Sequence, residues 1–394
     1  MPFELHRRNA IKSSLAALAS SAATTSIFAA ESRSFRLIEK AGLRRFGYPV
    51  HLLLPDIGPT DQIRLLKDGK PVTAQFRSTK DAAGKPAIAL DFSTSPGPLE
   101  TETYTLETGV KGPEPKEGIR VEKHDGFYRV SSGKDLHYEV PTNLTTLARS
   151  IVNGKQEYVD SKSSGFSLID KGGQSIAIGG SSVTSEIDYQ GPITASLRYQ
   201  AATKIGESVV SSEIHLLYPR SKSWVEIVWT INDPSKTAPA VQFDLDLLIE
   251  GTPTLIDLGA SETVYGTIKD DQVMSLAAAP KTLWKVYQSQ AKGPGLSLFA
   301  GSTPNGNNHA AGWAHVMDRK RCTAAAFDQF GQHHNDAIVT KANGNLSLKR
   351  EFSDLNETRR TFHFWLHFVP MPVQIGALTS PQAMQNPLVV EWVR

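Results

Sequence analysis

Between Phe362 and Phe368 an apolar side chain occupies every second position: Phe362, Phe364, Leu366 and Phe368. His363, Trp365 and His367 fill the places between them. A period of two is that of a β-strand, whose successive side chains point to opposite faces of a sheet. The same rhythm runs through SWVEIVWTIND, where Val225, Ile227, Trp229 and Ile231 share one face and Glu226 and Thr230 take the other. It recurs in VQFDLDLLIEG, with Phe243, Leu245, Leu247 and Ile249 on one side and Asp244, Asp246 and Glu250 opposite. ITASLRYQAAT and VVSSEIHLLYP behave likewise. Many such strands, separated by turn residues, predict a large antiparallel sandwich.

Upstream the runs are shorter. VHLLLP, QIRLLKDGKPVTAQF, AIALDF and TYTLETG are β-prone segments cut by Gly, Pro and Asp. KDGK predicts a hairpin turn, because Asp-Gly readily accepts positive φ. These segments predict a small β-unit from about Phe35 to Gly109, and KGPEPKEG at 111–118 reads as a linker. The helical period is almost absent, with one short helix expected near SPQAMQN.

The N-terminus has a different character. HRRNAIKSSLAALASSAATTSIFAA begins with Arg7 and Arg8, continues through a weakly apolar run and ends at Ala29-Ala30. That order of charged, apolar and small residues is the order of an export signal. Arg-Arg-x-x-Ile-Lys resembles the twin-arginine pattern, with Ala10 where that pattern usually has Phe. Residues 1–30 are therefore read as an export signal, and the expected location is periplasmic or extracellular. The run is too polar and too short for a membrane span, and no other segment reads as one. A net charge of +2 over 394 residues gives no basic surface for nucleic acid. The single cysteine, Cys322, can form no intrachain disulfide and reads as a buried, inert thiol.

RRFGYPVHLLLP, DQIRLLKDGKPVTAQFR, AIALDF and ETYTLETG together resemble the N-terminal RIFT-type barrel of exo-rhamnogalacturonan-lyase-like proteins. AGWAHVMDRKRCTAAAFDQF and TRRTFHFWLHFVP are similar to the central β-sandwich of the same family. The resemblance implies an all-β chain: a small β-barrel domain at 31–112 followed by a large β-sandwich domain at 118–394. It also implies a polysaccharide lyase context. Such lyases continue into an α/α toroid associated with the active site, and no run of helices follows the sandwich pattern here, so no catalytic residue is carried over.

Candidate chemistry gathers late in the chain. On a helix, His363 and His367 would share a face as in His-x-x-x-His zinc motifs. On a strand, four residues cover roughly 13 Å, too far for two imidazoles to bind one ion at about 2 Å. No metal is expected there. The face carrying His363, Trp365 and His367 either contacts sugar, with the indole stacking on a pyranose, or is buried against another sheet. NGNNHAAGWAHVMDRKR supplies His309, Trp313, His315, Asp318, Arg319 and Arg321. FDQFGQHHND adds Asp328, Gln332, His333, His334, Asn335 and Asp336. Such loops are where binding residues collect, and antiparallel connections would bring them toward Trp365. The substrate-binding candidates are thus Trp313, His309, His333, His363, Trp365 and His367.

A uronate lyase needs a cation for the carboxylate, a base for the C5 proton and an acid for the leaving oxygen. His315, Arg319, His334 and Asp318 are candidates for those roles. Hydrolysis needs two carboxylates at a set separation. Asp244 and Asp246 read instead as the solvated face of a strand. IGGSS at 178–182 lacks the ending of a P-loop, and no Gly-x-Ser-x-Gly or Cys-x-x-Cys occurs. DLDLL lacks the spacing of a calcium loop. No cofactor is expected. The leading reading is an exported carbohydrate-associated β-protein that binds pectic-type polysaccharide or assists a lyase. An active lyase built on the His-rich loops and a structural or partner-binding periplasmic protein are the alternatives.

Overall fold

The structure is a computed structural model describing residues 34–114, 118–180, 182–251, 254–260, 263–269, 271–280, 284–290, 296–301 and 310–393. The export-signal reading at 1–30 and His309 lie outside the described residues.

The alternating segments form a nine-stranded antiparallel sheet. In order across the sheet its strands are Thr184–Gln190, Thr194–Ile205, Ser208–Pro219, Trp224–Asn232, Arg359–Pro370, Arg321–Phe327, Trp313–Met317, Thr254–Gly259 and Thr263–Ile268. An eight-stranded sheet that includes Ala240–Asp246 and Asn345–Glu351, and a five-stranded sheet over Ile119–Glu157, share one apolar core with it. Val225, Ile227, Trp229 and Ile231 enter that core, as do Phe243, Leu245, Phe362, Phe364, Leu366 and Phe368. Both faces of each strand are therefore sorted as period two dictates. The all-β class and the large antiparallel sandwich expected from the pattern are what the chain adopts.

The small unit has two sheets. One has five strands in the order Val389–Val393, Ser34–Ile38, Thr101–Thr108, Ile63–Lys67 and Lys70–Val72. The other has three, Tyr48–Pro55, Pro86–Thr94 and Ala74–Lys80. No ladder joins them, so the expected small barrel is not closed. Its outer strand Tyr48–Pro55 carries Pro49 and Pro55, which offer no N–H to a further ladder. The KDGK hairpin is present, with φ of 49° at Asp68 and 76° at Gly69. The short helix also forms, as Ser380–Gln385.

The core of the small unit includes Trp224, Trp313, Ala326 and Trp365 from the outer face of the nine-stranded sheet. The small unit thus covers that face, and strand Arg359–Pro370 is buried on both sides through its middle. Polar clamps fix the docking. The Gln75 side-chain oxygen accepts from the N–H groups of Ile193 and Thr194. Gln385 Nε2 donates to the carbonyls of Ala311, Gly312 and Phe327. Arg45, ion-paired with Glu39 at 2.7 Å, donates to the carbonyls of Ala383 and Asn386.

Candidate functional site in the cleft between the two units

Where the small unit meets the sandwich a cleft remains, with about 690 Å³ of empty space counting the part open to solvent. Tyr48, His51 and Leu388 line one wall, and Trp224, Glu226, Asp328, His363 and Trp365 the other. In the ladder Glu226 stands opposite Trp365, and Val228 opposite His363. The Glu226 side chain leans diagonally to the imidazole, 2.9 Å from His363 Nε2. Asp328 follows the strand Arg321–Phe327, and its N–H donates to the His363 carbonyl at 3.1 Å. Its carboxylate lies 3.6 Å from His363 Nδ1. One buried imidazole is therefore held between two carboxylates.

Electrostatics follows from that arrangement. Burial disfavours the imidazolium, yet Asp328 and Glu226 outweigh it and raise His363 to about 9. Burial likewise opposes ionisation of Glu226, but hydrogen bonding to His363, the nearby His51 and the Trp365 ring hold its carboxyl below the ordinary range. Glu226 and His363 therefore form an ion pair at neutral pH, with the Asp328 side chain on the other ring nitrogen. Across the cleft, His51 Nδ1 is 2.6 Å from Asp91, whose other oxygen meets Arg77 Nε at 3.3 Å. Burial lowers His51 and its bond to Asp91 raises it, with a net upward shift. With Nδ1 taken, Nε2 is the ring nitrogen left to meet a ligand.

Aromatic rings frame these charges. The Trp365 and His363 ring centres are 4.0 Å apart, and Trp224 packs edge-on against Tyr48 at 6.2 Å. Trp365, Trp224 and Tyr48 are only 7, 3 and 9% exposed, so what the cleft chiefly presents is its polar lining of Glu226, Asp328 and His51, groups that can pair with the hydroxyls of a polyhydroxylated ring.

His363 and Trp365 lie together at the cleft. His367 shares their face but is packed edge-on against Trp224, 5.8 Å between ring centres. Burial, then the charges of Lys222 and His315, lower it to about 3, so it stays neutral. Trp313 is buried in the contact between units; a Cβ on Gly259 would lie 2.2 Å from its indole, so only glycine leaves room for the ring. His333 is exposed, with its ring 6.5 Å from that of His334.

The four residues considered for lyase chemistry do not converge. His315 is buried and 3.2 Å from Asp257. Asp318 accepts from the N–H groups of Lys320, Arg321 and Glu250, which fixes the turn. Arg319 is exposed in that same turn. His334 lies beyond the opposite end of strand Arg321–Phe327, against Phe352, and burial lowers it to about 4. Asp244 and Asp246 are half-buried and bonded to Gln242 and Asn345. Cys322 is buried, which pushes its thiol up. Among the described residues no three His, Cys, Asp or Glu side chains are grouped to hold a metal, and no helix is long and apolar enough to cross a membrane.

Sequence reasoning did not single out His51, Asp91, Tyr48 or Trp224 as site residues, and it read Glu226 only as part of an outer face. The available signal was a lone polar residue inside an apolar run: His51 in VHLLLP and Asp91 in AIALDF. Asp91 is buried and His51 half-buried, and a buried carboxylate needs such a partner.

No family model and no curated protein sequence matches the chain. Among solved structures it is similar to a protein in the glycosyl hydrolase family 38 from Enterococcus faecalis, at 13% identity and a TM-score of 0.56, over 95% of this chain and 49% of that one. It is similar also to an alpha-mannosidase from Enterococcus faecalis V583, at 13% identity and a TM-score of 0.53, over 94% of this chain and 47% of that one. The chain spans about half the length of these neighbours. At such identity the likeness is one of fold. The exo-rhamnogalacturonan-lyase resemblance accordingly narrows to a β fold shared with these two structures.

Proposed function

We propose that this chain is an exported carbohydrate-binding β-protein whose ligand occupies the cleft between the small unit and the sandwich. The observation that carries the reading is the Glu226–His363–Asp328 array beside Trp365 and Trp224, set in a cleft. A buried ion pair such as Glu226–His363 has a high desolvation cost, and here it faces an opening rather than a sealed core. Sugar hydroxyls pair with the Glu226 and Asp328 carboxylates and with His51 Nε2, and the apolar pyranose face would pack on the small exposed part of the Trp365 indole. The expected ligand is a pectic-type polysaccharide or an oligosaccharide of it, and the protein would act as a binder or as an aid to a lyase.

A second, catalytic reading has one observation in its favour. His51 is oriented through Nδ1 by the buried Asp91, the arrangement a general acid or base uses. Against it, Glu226 is held ionised, so neither hydrolysis by a protonated Glu226 nor a cation for a uronate is provided.

Screening the purified chain against immobilised and soluble glycans, with ultraviolet absorbance followed in parallel, tests both. The binding reading expects affinity without turnover. Rising absorbance from an unsaturated uronate product would transfer the role to the lyase reading. Absence of affinity across pectic and other plant or bacterial glycans would leave the structural or partner-binding reading.

A further inference from the structure

The charges of the cleft bear on which sugar it takes. Among its described lining residues the ionisable groups are Glu226, Asp328, His363, His51 and Tyr48, and neither Lys nor Arg appears. Each cation is already matched. His363 stands between Glu226 and Asp328, and His51 is bonded to Asp91. Arg77, behind His51, is likewise turned to Asp91 and stacked on Tyr189 at 3.5 Å. Two further cations lie behind the walls and do not line the cleft: Arg45, paired with Glu39, 4.9 Å over the Tyr48 ring, and Lys222, 5.6 Å over the Trp224 ring.

A carboxylate brought here would meet two carboxylates and, among the described lining residues, no cation without a carboxylate partner. Like charges brought together in a half-buried site repel, and little solvent is there to screen them. A neutral pyranose has no such cost. Its hydroxyls donate to Glu226 and Asp328 on the sandwich wall and meet His51 Nε2 on the opposite wall, which accepts from a hydroxyl when the ring is neutral and donates to one when it is protonated. The walls are complementary to a polyol in both directions.

We propose that the cleft selects neutral pyranose units and rejects uronates. Within a pectic polymer it would therefore engage neutral residues, such as those of side chains, rather than the acidic backbone unit. This rests on the sugar-binding reading above and adds a sign to it: specificity arises from a repulsive element as well as from contacts.

The test is isothermal titration of the full chain at pH 7 with neutral galacto-, manno- and gluco-oligosaccharides and with oligogalacturonate of matched length. The expected result is binding of at least one neutral series about tenfold tighter than oligogalacturonate. Asp328→Asn removes one repelling charge and should shrink that ratio to about threefold or less. Glu226→Gln is the second variant, should Asp328→Asn fail to fold, and should move the ratio the same way. Oligogalacturonate binding as tightly as the best neutral series would overturn the selectivity while leaving sugar binding intact. No response to either class would remove the sugar-binding reading and this inference with it.

Discussion

Glu226 stands opposite Trp365 in the strand ladder, and its carboxylate reaches both across the ladder to the Trp365 ring and diagonally to His363 two residues away, at 2.9 Å. That diagonal puts a charged pair and an indole on one patch of sheet, and the small unit covers the patch incompletely. The remaining opening is the cleft.

The pair has a pH signature. His363 is raised from 6.5 to about 9, so the folded state holds its proton longer than the unfolded chain does. The resulting stabilisation is fully present below about pH 6.5 and is lost as pH rises through about 9. His51 and His215 are raised as well, His51 by Asp91 and Glu226 and His215 by Asp188 and Glu213, so the wild type loses stability at several sites in this direction. His363→Gln isolates one of them. Thermal melting from pH 6 to 10 should decline less steeply in the variant, and parallel curves would refute the assignment.

His367 carries the opposite sign. Its pKa is depressed to about 3 by burial, with Lys222 and His315 adding to the effect. The unfolded chain takes up a proton near 6.5 that the folded chain refuses, so stability falls as pH drops from about 6.5 toward 3. His367→Leu should flatten that limb of the melting profile. Glu226, Asp91 and Asp233, all lowered, also lose stabilisation in acid, which makes the difference between variant and wild type the quantity to read.

Asp233 is buried against Arg360 at 2.7 Å and also accepts from the N–H groups of Thr237 and Ala238. Asp233→Ala leaves a buried guanidinium without its carboxylate and should cost about 3–5 kcal/mol. Urea unfolding measures this, and a loss under about 1 kcal/mol would show that water reaches Arg360.

Gln385 links the short helix Ser380–Gln385 to three sandwich carbonyls and also lines the cleft. Gln385→Ala should cost about 1–3 kcal/mol in stability. It should weaken ligand binding further than Gln385→Met, which keeps the bulk. Equal affinities for the two variants would make the clamp irrelevant to the cleft.

The strand faces were legible because burial sorts residues with period two, and Val225, Ile227, Trp229 and Phe362 could only point one way. What covers the other face was not legible. His363 and Glu226 are separated by 137 positions, and His51 comes from a different unit altogether. No local rhythm encodes such a meeting. The lyase-like set of His315, Asp318, Arg319 and His334 looked adjacent because the sequence is dense there. The strand Arg321–Phe327 carries His334 away from the turn that holds Asp318 and Arg319. The open form of the small unit was hidden for a related reason, since closure depends on pairing between strands far apart in the chain.

The most direct measurement is calorimetric titration of the tightest-binding oligosaccharide into wild type, Trp365→Ala and His363→Gln, each shown folded by near-ultraviolet circular dichroism. Loss of stacking should weaken binding about tenfold or more in Trp365→Ala, with a smaller loss in His363→Gln. Unchanged affinity in both folded variants would place the sugar elsewhere on the molecule and contradict the account of the cleft.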